Sequence, residues 1–415
     1  MELSSLTGIP QAQIAATPMG ALVDAYLIRT AEQTKIPTPP KSNQPYFSYK
    51  GAVVLEPKVG LHEDVAVLDF VSMYPNLMVK YNLSPDTLVR PGVQVSRDKV
   101  IVIPEVRHSF YTKPDGFYRI ALSELIRKRS EIKARLSQTA AEEQAKDLRE
   151  RERALKEITN ATYGYVAWSR ARWYSREVAE SVTALGRETI RKTMAEAQSL
   201  GLTIIYSDTD SLFVINHHSK VEQLLAWVRK TLELEIRVDR EYRRILFTEA
   251  TKRYAGLLPD GRLDIVGFEA IRHDWTEVAR RVQEQVLRSI LEGQSTERAE
   301  EMVRVAIEQL RNGELPVSEL AIHKTLTKPL EKYTVRAPHV EVARKLLSEG
   351  QTVAVGEKVS YVIVNGPGAL FQKARPYHEA RPEEIDAEYY IENQIKPAAM
   401  RILESLGPSN VMVEC

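Results

Sequence analysis

Two runs of β-branched and aromatic residues, Leu202 to Tyr206 and Ser211 to Ile215, flank the tetrad Ser207-Asp208-Thr209-Asp210. Runs of that kind read as strands, and so short a polar insert between them reads as a tight hairpin. The chain must therefore hold two carboxylates together at the tip of a hairpin whose strands are apolar. Such a pair repels itself unless water, a proton or a cation neutralises it. A bound divalent cation resolves the conflict.

A third carboxylate fits the same site. Asp69 closes the apolar run Val65-Ala66-Val67-Leu68 and precedes Phe70-Val71-Ser72-Met73-Tyr74-Pro75, whose proline forces the backbone out of regular structure. Alone, a strand-end Asp is more often a helix cap or turn former. Beside the acidic hairpin it gives an all-oxygen site of the kind Mg²⁺ prefers, with positions open for water and substrate phosphates. That arrangement suits two-metal, in-line phosphoryl transfer. The single cysteine, Cys415, can neither close an internal disulfide nor build a thiolate site, and it fits a reducing compartment. The sequence does not tell Mg²⁺ from Mn²⁺.

Net charge is +1, so composition alone does not call for a nucleic-acid partner. The charge is uneven, however: Arg119 to Lys156 holds eleven Lys/Arg against seven Asp/Glu. This stretch has helical periodicity over about 119–136 and 141–162, broken by Ser137-Gln138-Thr139, which predicts an antiparallel helix hairpin. On its second helix Arg149, Arg153, Lys156, Asn160 and Tyr163 share one face. If the hairpin bends near residue 140, Arg129 lies roughly level with 151, about a turn from Lys156, and two cations can clamp one triphosphate. The competing reading is a solvated face paired to Glu150, Glu152 and Glu157.

At 415 residues and 43% hydrophobic content the chain is long enough for two or three packed units. Residues 1–36 read as helical, and Pro37, Pro39, Pro40 and Pro45 make the next stretch an extended connector. Strands are expected at Ala52–Leu55, Val65–Leu68 and Ile101–Ile103, and a long helix around 176–199. Beyond about 272 amphipathic helices follow over 275–292 and 296–312, then a short β section near Val359–Val364 and a closing helix around 386–406. No run approaches the roughly 20 apolar residues of a membrane span, and the start lacks the order of a secretion signal. A cytoplasmic location is expected.

These residues together resemble three signatures of the family B DNA polymerases, the replicative type of archaea and eukaryotes. Asp69-Phe70-Val71-Ser72-Met73-Tyr74-Pro75 resembles motif A, Lys156-Glu157-Ile158-Thr159-Asn160-Ala161-Thr162-Tyr163-Gly164 motif B, and Tyr206-Ser207-Asp208-Thr209-Asp210-Ser211 motif C, in the family's order. Tyr49-Lys50-Gly51-Ala52, Lys252-Arg253-Tyr254-Ala255, Arg272-His273-Asp274-Trp275 and Asp386-Ala387-Glu388-Tyr389-Tyr390-Ile391-Glu392-Asn393 extend the match over nearly the whole chain. The resemblance implies an α+β right hand: an N-terminal helical and linker segment over 1–48, a mixed-sheet palm from 49–118 and 166–272, helical-hairpin fingers over 119–165 and a mainly helical thumb over 273–415. Asp69 and Asp210 would bind two Mg²⁺ ions with the Phe70 carbonyl, and Asp208 would support them. Arg129, Lys156 and Asn160, the main chain of Ser72 and Met73, and Arg151 as an auxiliary would hold the incoming dNTP, while Tyr74 would exclude a 2′-hydroxyl. Tyr163, Gly164, Thr209, Lys252, Arg253, Tyr254, Arg272 and Asp274 would follow primer-template DNA, and Tyr49 and Gly51 the template strand.

The departures matter too. About 48 residues precede the expected palm, so the family's proofreading 3′–5′ exonuclease is expected to be absent from this chain, and the Asp-x-Glu at Asp386-Ala387-Glu388 belongs to the thumb signature. A separate chain carrying the exonuclease and N-terminal domains is then an expected partner, with the apolar residues of 1–36 partly facing it; an inactive DNA-binding scaffold is the reading from another class. The clamp-binding tail, with its glutamine and paired aromatics, is not seen in Gly407 to Cys415. Asn76, Ala161 and Thr162 stand where relatives more often carry Ser, Ser, and Phe or Leu. The expected location becomes nucleoid-associated if the source is archaeal.

Overall fold

The computed structural model describes residues 2–139 and 141–407. The expected loss of the clamp-binding tail falls mostly on residues outside these. The chain divides into two units. The first comprises Met1–Val54, Leu68–Leu212 and His217–Asp239; the second comprises Leu55–Val67, Phe213–Asn216 and Arg240–Cys415.

In the first unit the N-terminal region is helical as expected but broken into α1 (Glu2–Thr7), α2 (Gln11–Ile14) and α3 (Met19–Thr34). Pro10 and Pro18 stand at the N-caps of α2 and α3, the end of a helix where a missing N–H does no harm. The strand expected at Ala52–Leu55 shrinks to β1 (Val54–Leu55). Its upstream carbonyls are already taken: Lys50 accepts from Thr183 Oγ1 (2.9 Å) and Arg187 Nη1 (2.7 Å), and Gly51 from Arg187 Nη1 (2.6 Å). Side chains have replaced a ladder partner there.

Next come β2 (Gly60–Phe70), α4 (Met73–Lys80), β3 (Val100–Val102) and β4 (Ser109–Tyr111). The hairpin helices are α5 (Phe117–Gln138) and α6 (Glu142–Ala167), each longer than the periodicity suggests. They bury Ala121, Leu122, Leu125 and Ile132 from α5 and Leu148, Leu155 and Ile158 from α6. Then follow α7 (Arg176–Ser199), β5 (Ile204–Asp208), β6 (Ser211–Ile215), α8 (His218–Trp227) and β7 (Ile236–Phe247). The segment that forms β7 carries six charged residues between Arg237 and Arg244, which hides the alternation that marks a strand.

The second unit adds β8 (Tyr254–Leu257), β9 (Leu263–Val266), α9 (Glu277–Leu291), α10 (Thr296–Arg311), β10 (Ile322–Thr325), α11 (Pro338–Ser348), β11 (Lys358–Ile363) and β12 (Ala374–Pro376). It ends with α12 (Ala387–Tyr390), a π turn at Ile391–Ile395 and α13 (Lys396–Leu403). The sheet order is β1-β5-β6-β2-β7-β8-β9, with β10-β11-β12 and β3-β4 as smaller sheets. All three strand pairings in the two small sheets are antiparallel, pairing Tyr361 with Ile322 and Pro376, and Ile101 with Phe110. No helix among the described residues is long and apolar enough to cross a membrane.

Candidate functional site

β5 ends at Asp208 and β6 starts at Ser211, so Thr209 and Asp210 alone make the turn. Thr209 has φ 57°, a left-handed value that β-branched residues rarely adopt and that points to a specially held backbone. What holds it is local bonding. Its N–H donates to the Val53 carbonyl (3.1 Å), its Oγ1 donates to Asp208 Oδ1 (3.0 Å), and the Asp210 N–H donates to the Asp208 carbonyl (2.6 Å). Across the turn, the Phe70 N–H donates to the Asp210 carbonyl (3.0 Å), which sets the last residues of β2 beside it.

Asp69 and Asp210 therefore come together from neighbouring strands. Burial first, then the Asp210 and Asp239 charges, push the Asp69 carboxyl up to about 6, against the pull of Arg237 and Lys156. Asp208 stays on the same turn, its Oδ1 accepting from Thr209 Oγ1 (3.0 Å), and among the described residues no three His, Cys, Asp or Glu side chains form a ready cluster for a metal. Asp69 and Asp210 form a half-buried acidic pair. Two carboxylates held together in this way fit a divalent cation, provided a substrate completes the oxygen shell.

The cations come from the α5–α6 hairpin. Arg129 is buried, its Nε bonded to Glu152 (2.6 Å) and its Nη1 to Ser72 Oγ (3.0 Å). Ser72 itself lies at φ 47° before α4, on a turn whose Val71 and Ser72 carbonyls accept from the Asn76 amide (2.8 and 3.1 Å). Lys156 and Asn160 are exposed on α6. Arg151 goes elsewhere: its Nε donates to Glu2 (2.7 Å), so α1 holds it. Arg153 pairs along the helix with Glu157 (3.0 Å), as the solvated-face reading has it, and Arg149 pairs with Glu142 (2.8 Å).

Beside the acidic pair lies an aromatic group. The Tyr74 and Tyr163 rings are 4.6 Å apart, and the Tyr163 and Tyr49 hydroxyls meet at 3.0 Å. Burial, then the Asp210 charge, push the Tyr74 phenol up to about 12. Gly51 and Gly164 border open space, since a Cβ on either would meet nothing within 4 Å. Met73 is buried at the start of α4.

In the second unit the expected DNA residues are more occupied. Tyr254 packs with Phe213 and Phe247, both at 5.3 Å between ring centroids. Arg272 pairs with Asp274 (2.9 Å), which also accepts from Lys324 (3.0 Å). Lys252 has φ 61° and the Arg253 Nε donates to the Gly267 carbonyl (3.3 Å). Asp386 caps α12 by accepting from the Tyr389 N–H (3.1 Å) and takes Lys373 (3.2 Å), and Glu388 pairs with Arg311 (3.1 Å).

The sequence model of DNA polymerase family B matches residues 9–406. The chain belongs to DNA polymerase family B. It is 46% identical to DNA polymerase 2 of Aeropyrum pernix over 98% of its own length and 51% of that protein's. Against a DNA polymerase of Archaeoglobus fulgidus the identity is 38%, over 98% and 54%. The solved structure of the family B DNA polymerase from Pyrobaculum calidifontis is similar at a TM-score of 0.82 and 44% identity, over 98% of this chain and 54% of that one. The chain thus spans about half the length of these relatives.

Sequence reasoning missed several residues around the acidic and aromatic groups. Lys133 lies one turn beyond Arg129 on α5, and burial and then the Arg129 charge hold its amine below the usual lysine range. Asp239 and Arg237 act on Asp69 from the charged strand β7; Asp239 also begins a second Asp-x-Glu, Asp239-Arg240-Glu241. Arg187 is the bulkiest fully buried side chain among the described residues and pairs with Glu105 (2.9 Å). The one available signal was the i, i+4 repeat from Arg129 to Lys133; nothing marked Arg187 out from other helical arginines.

Proposed function

We propose that this chain carries out template-directed DNA synthesis, transferring a nucleotidyl group from a dNTP to a primer 3′-OH on primer-template DNA. The observation that carries it is the juxtaposition of Asp69 and Asp210 on adjoining strands, with Arg129, Lys133 and Lys156 supplied by one helix hairpin. Asp69, Asp210 and the Phe70 carbonyl would hold two Mg²⁺ ions, which supply activation of the attacking oxygen and charge neutralisation at the leaving pyrophosphate. Asp208 secures the turn. Arg129, Lys133, Lys156 and Asn160 bind and orient the triphosphate, with the main chain of Ser72 and Met73, and Arg129 is preset by Glu152 and Ser72.

Tyr74 stands where the sugar would sit and leaves no room for a 2′-hydroxyl. Tyr163 and Gly164 face the nascent base pair, and the open sides of Gly164 and Gly51 leave the backbone approachable. Thr209, Tyr49, Lys252, Arg253, Tyr254, Arg272 and Asp274 contact the DNA backbone without reading sequence. Arg151 is not assigned to the triphosphate, because Glu2 holds it. Residues 119–165 act as fingers between the palm segments 49–118 and 166–272, with a thumb from 273. Proofreading is assigned to none of these residues: Asp386 is a helix cap and Asp239 lies near Asp69.

Primer extension with Mg²⁺ and four dNTPs tests the reading, with Asp69→Asn and Asp210→Asn as controls. Extension by the wild type alone, with primer-template binding kept in both variants, is expected. Extension by either variant at the wild-type rate would sink the assignment of the acidic pair.

A further inference from the structure

Gly186 lies in the middle of α7, where neither a turn nor a positive φ calls for glycine. Glycine in a helix interior is destabilising by roughly 1 kcal/mol relative to alanine, so its presence needs another reason. The reason is Tyr74. A Cβ at Gly186 would lie 2.6 Å from Tyr74 Cε1 and 3.3 Å from Met73 Cε. The first distance is too short for any carbon contact. The ring sits against the bare backbone of α7, with the Tyr163 ring 4.6 Å away between centroids.

The neighbouring turn of α7 is pinned to the same region. Thr183 donates to the Lys50 carbonyl (2.9 Å) and Arg187 to the Lys50 and Gly51 carbonyls (2.7 and 2.6 Å). Residues 183, 186 and 187 share one helical face. That face holds the segment carrying Tyr49, whose hydroxyl reaches Tyr163. α7 therefore cannot slide away from the ring to make room for a larger residue, and Tyr163 limits the ring's retreat.

We infer that Gly186 is a specificity-determining residue: the missing side chain lets Tyr74 sink against α7, and this depth sets how much space the incoming sugar has. The inference rests on the reading of Tyr74 as the residue that excludes the 2′-hydroxyl. Any side chain at 186 drives the ring outward, toward the sugar. The site then takes even a deoxynucleotide less readily and a ribonucleotide less readily still.

The test is steady-state primer extension with a dNTP and with the matching rNTP, in four proteins: wild type, Gly186→Ala, Tyr74→Leu and the double variant. In Gly186→Ala the KM for the dNTP should rise about tenfold, the scale of one methylene in a tight pocket, with a smaller change in kcat. Tyr74→Leu should admit the rNTP. In the Tyr74→Leu background the added Cβ should leave the dNTP KM within twofold, because no ring remains to displace. Melting curves of all four check folding. A merely structural glycine would raise KM equally in both backgrounds, and that result overturns the inference while the wild type still extends primers. A wild type that extends nothing overturns the reading beneath it, and the inference with it.

Discussion

Ionising Asp69 in the folded chain places a second negative charge beside Asp210 in a half-buried setting, and its carboxyl titrates near 6 where 3.8 is ordinary. The folded chain therefore holds this proton more tightly than the unfolded chain. The contribution to stability is fully present below about pH 4 and is lost as pH rises through about 6. Asp69→Asn should accordingly stabilise the metal-free protein at pH 8 by about 1 kcal/mol after allowance for solvent screening, read as a higher melting temperature, and should give no gain at pH 4. Mg²⁺ should stabilise the wild type at pH 8 more than the variant. Equal gains at both pH values would contradict the electrostatic account. Asp69 and Asp210 were legible because a carboxylate at the end of an apolar run is conspicuous. Asp239 was not, because among Arg237, Arg240 and Glu241 one more charge looks like solvated surface.

At the scale of elements, α6 and α7 separate two uses of a residue. Gly164 on α6 borders open space, so packing does not require it. Gly164→Ala should stabilise the fold by roughly 0.5–1 kcal/mol through helix propensity, and should lower kcat/KM for extension about tenfold or more if the base pair needs that space. Unchanged extension would remove Gly164 from the site. Arg187 on α7 is the opposite case, a charge 1% exposed that holds Glu105 and two carbonyls. Arg187→Met should cost about 3 kcal/mol, read as a lower melting temperature. Helices α5, α6, α7, α9 and α10 were legible because their apolar residues recur at helical spacing. The strand expected at Ala52–Leu55 was not correctly legible, since the residues just before it are held by side chains from α7, more than a hundred residues later.

Over the first unit as a whole, α3 joins both helices of the hairpin near their roots. The Tyr26 hydroxyl donates to the Ala121 carbonyl of α5 (2.8 Å), and Tyr165 of α6 donates to Asp24, which also takes Arg172 (3.4 Å). Tyr26→Phe removes a buried bond, which should cost about 1 kcal/mol and speed hydrogen exchange at the first amides of α5 before those of α7. Equal protection in variant and wild type would mean that the root is held by packing alone.

Once the Arg129–Ser72 bond is released, the hairpin becomes a lever pinned at its root, and its gain follows from helix geometry. Lys133 lies twelve residues beyond Ala121, about 18 Å along the axis at 1.5 Å per residue. Each degree of tilt at the root would then carry Lys133 about 0.3 Å, and a hydrogen bond's length would take only about 10°. With such gearing the fulcrum needs stiffness more than range. Substitutions at Asp24 and Tyr26, whose own bonds reach neither carboxylate of the acidic pair, should alter how fast a nucleotide is captured and leave the rate of bond formation alone.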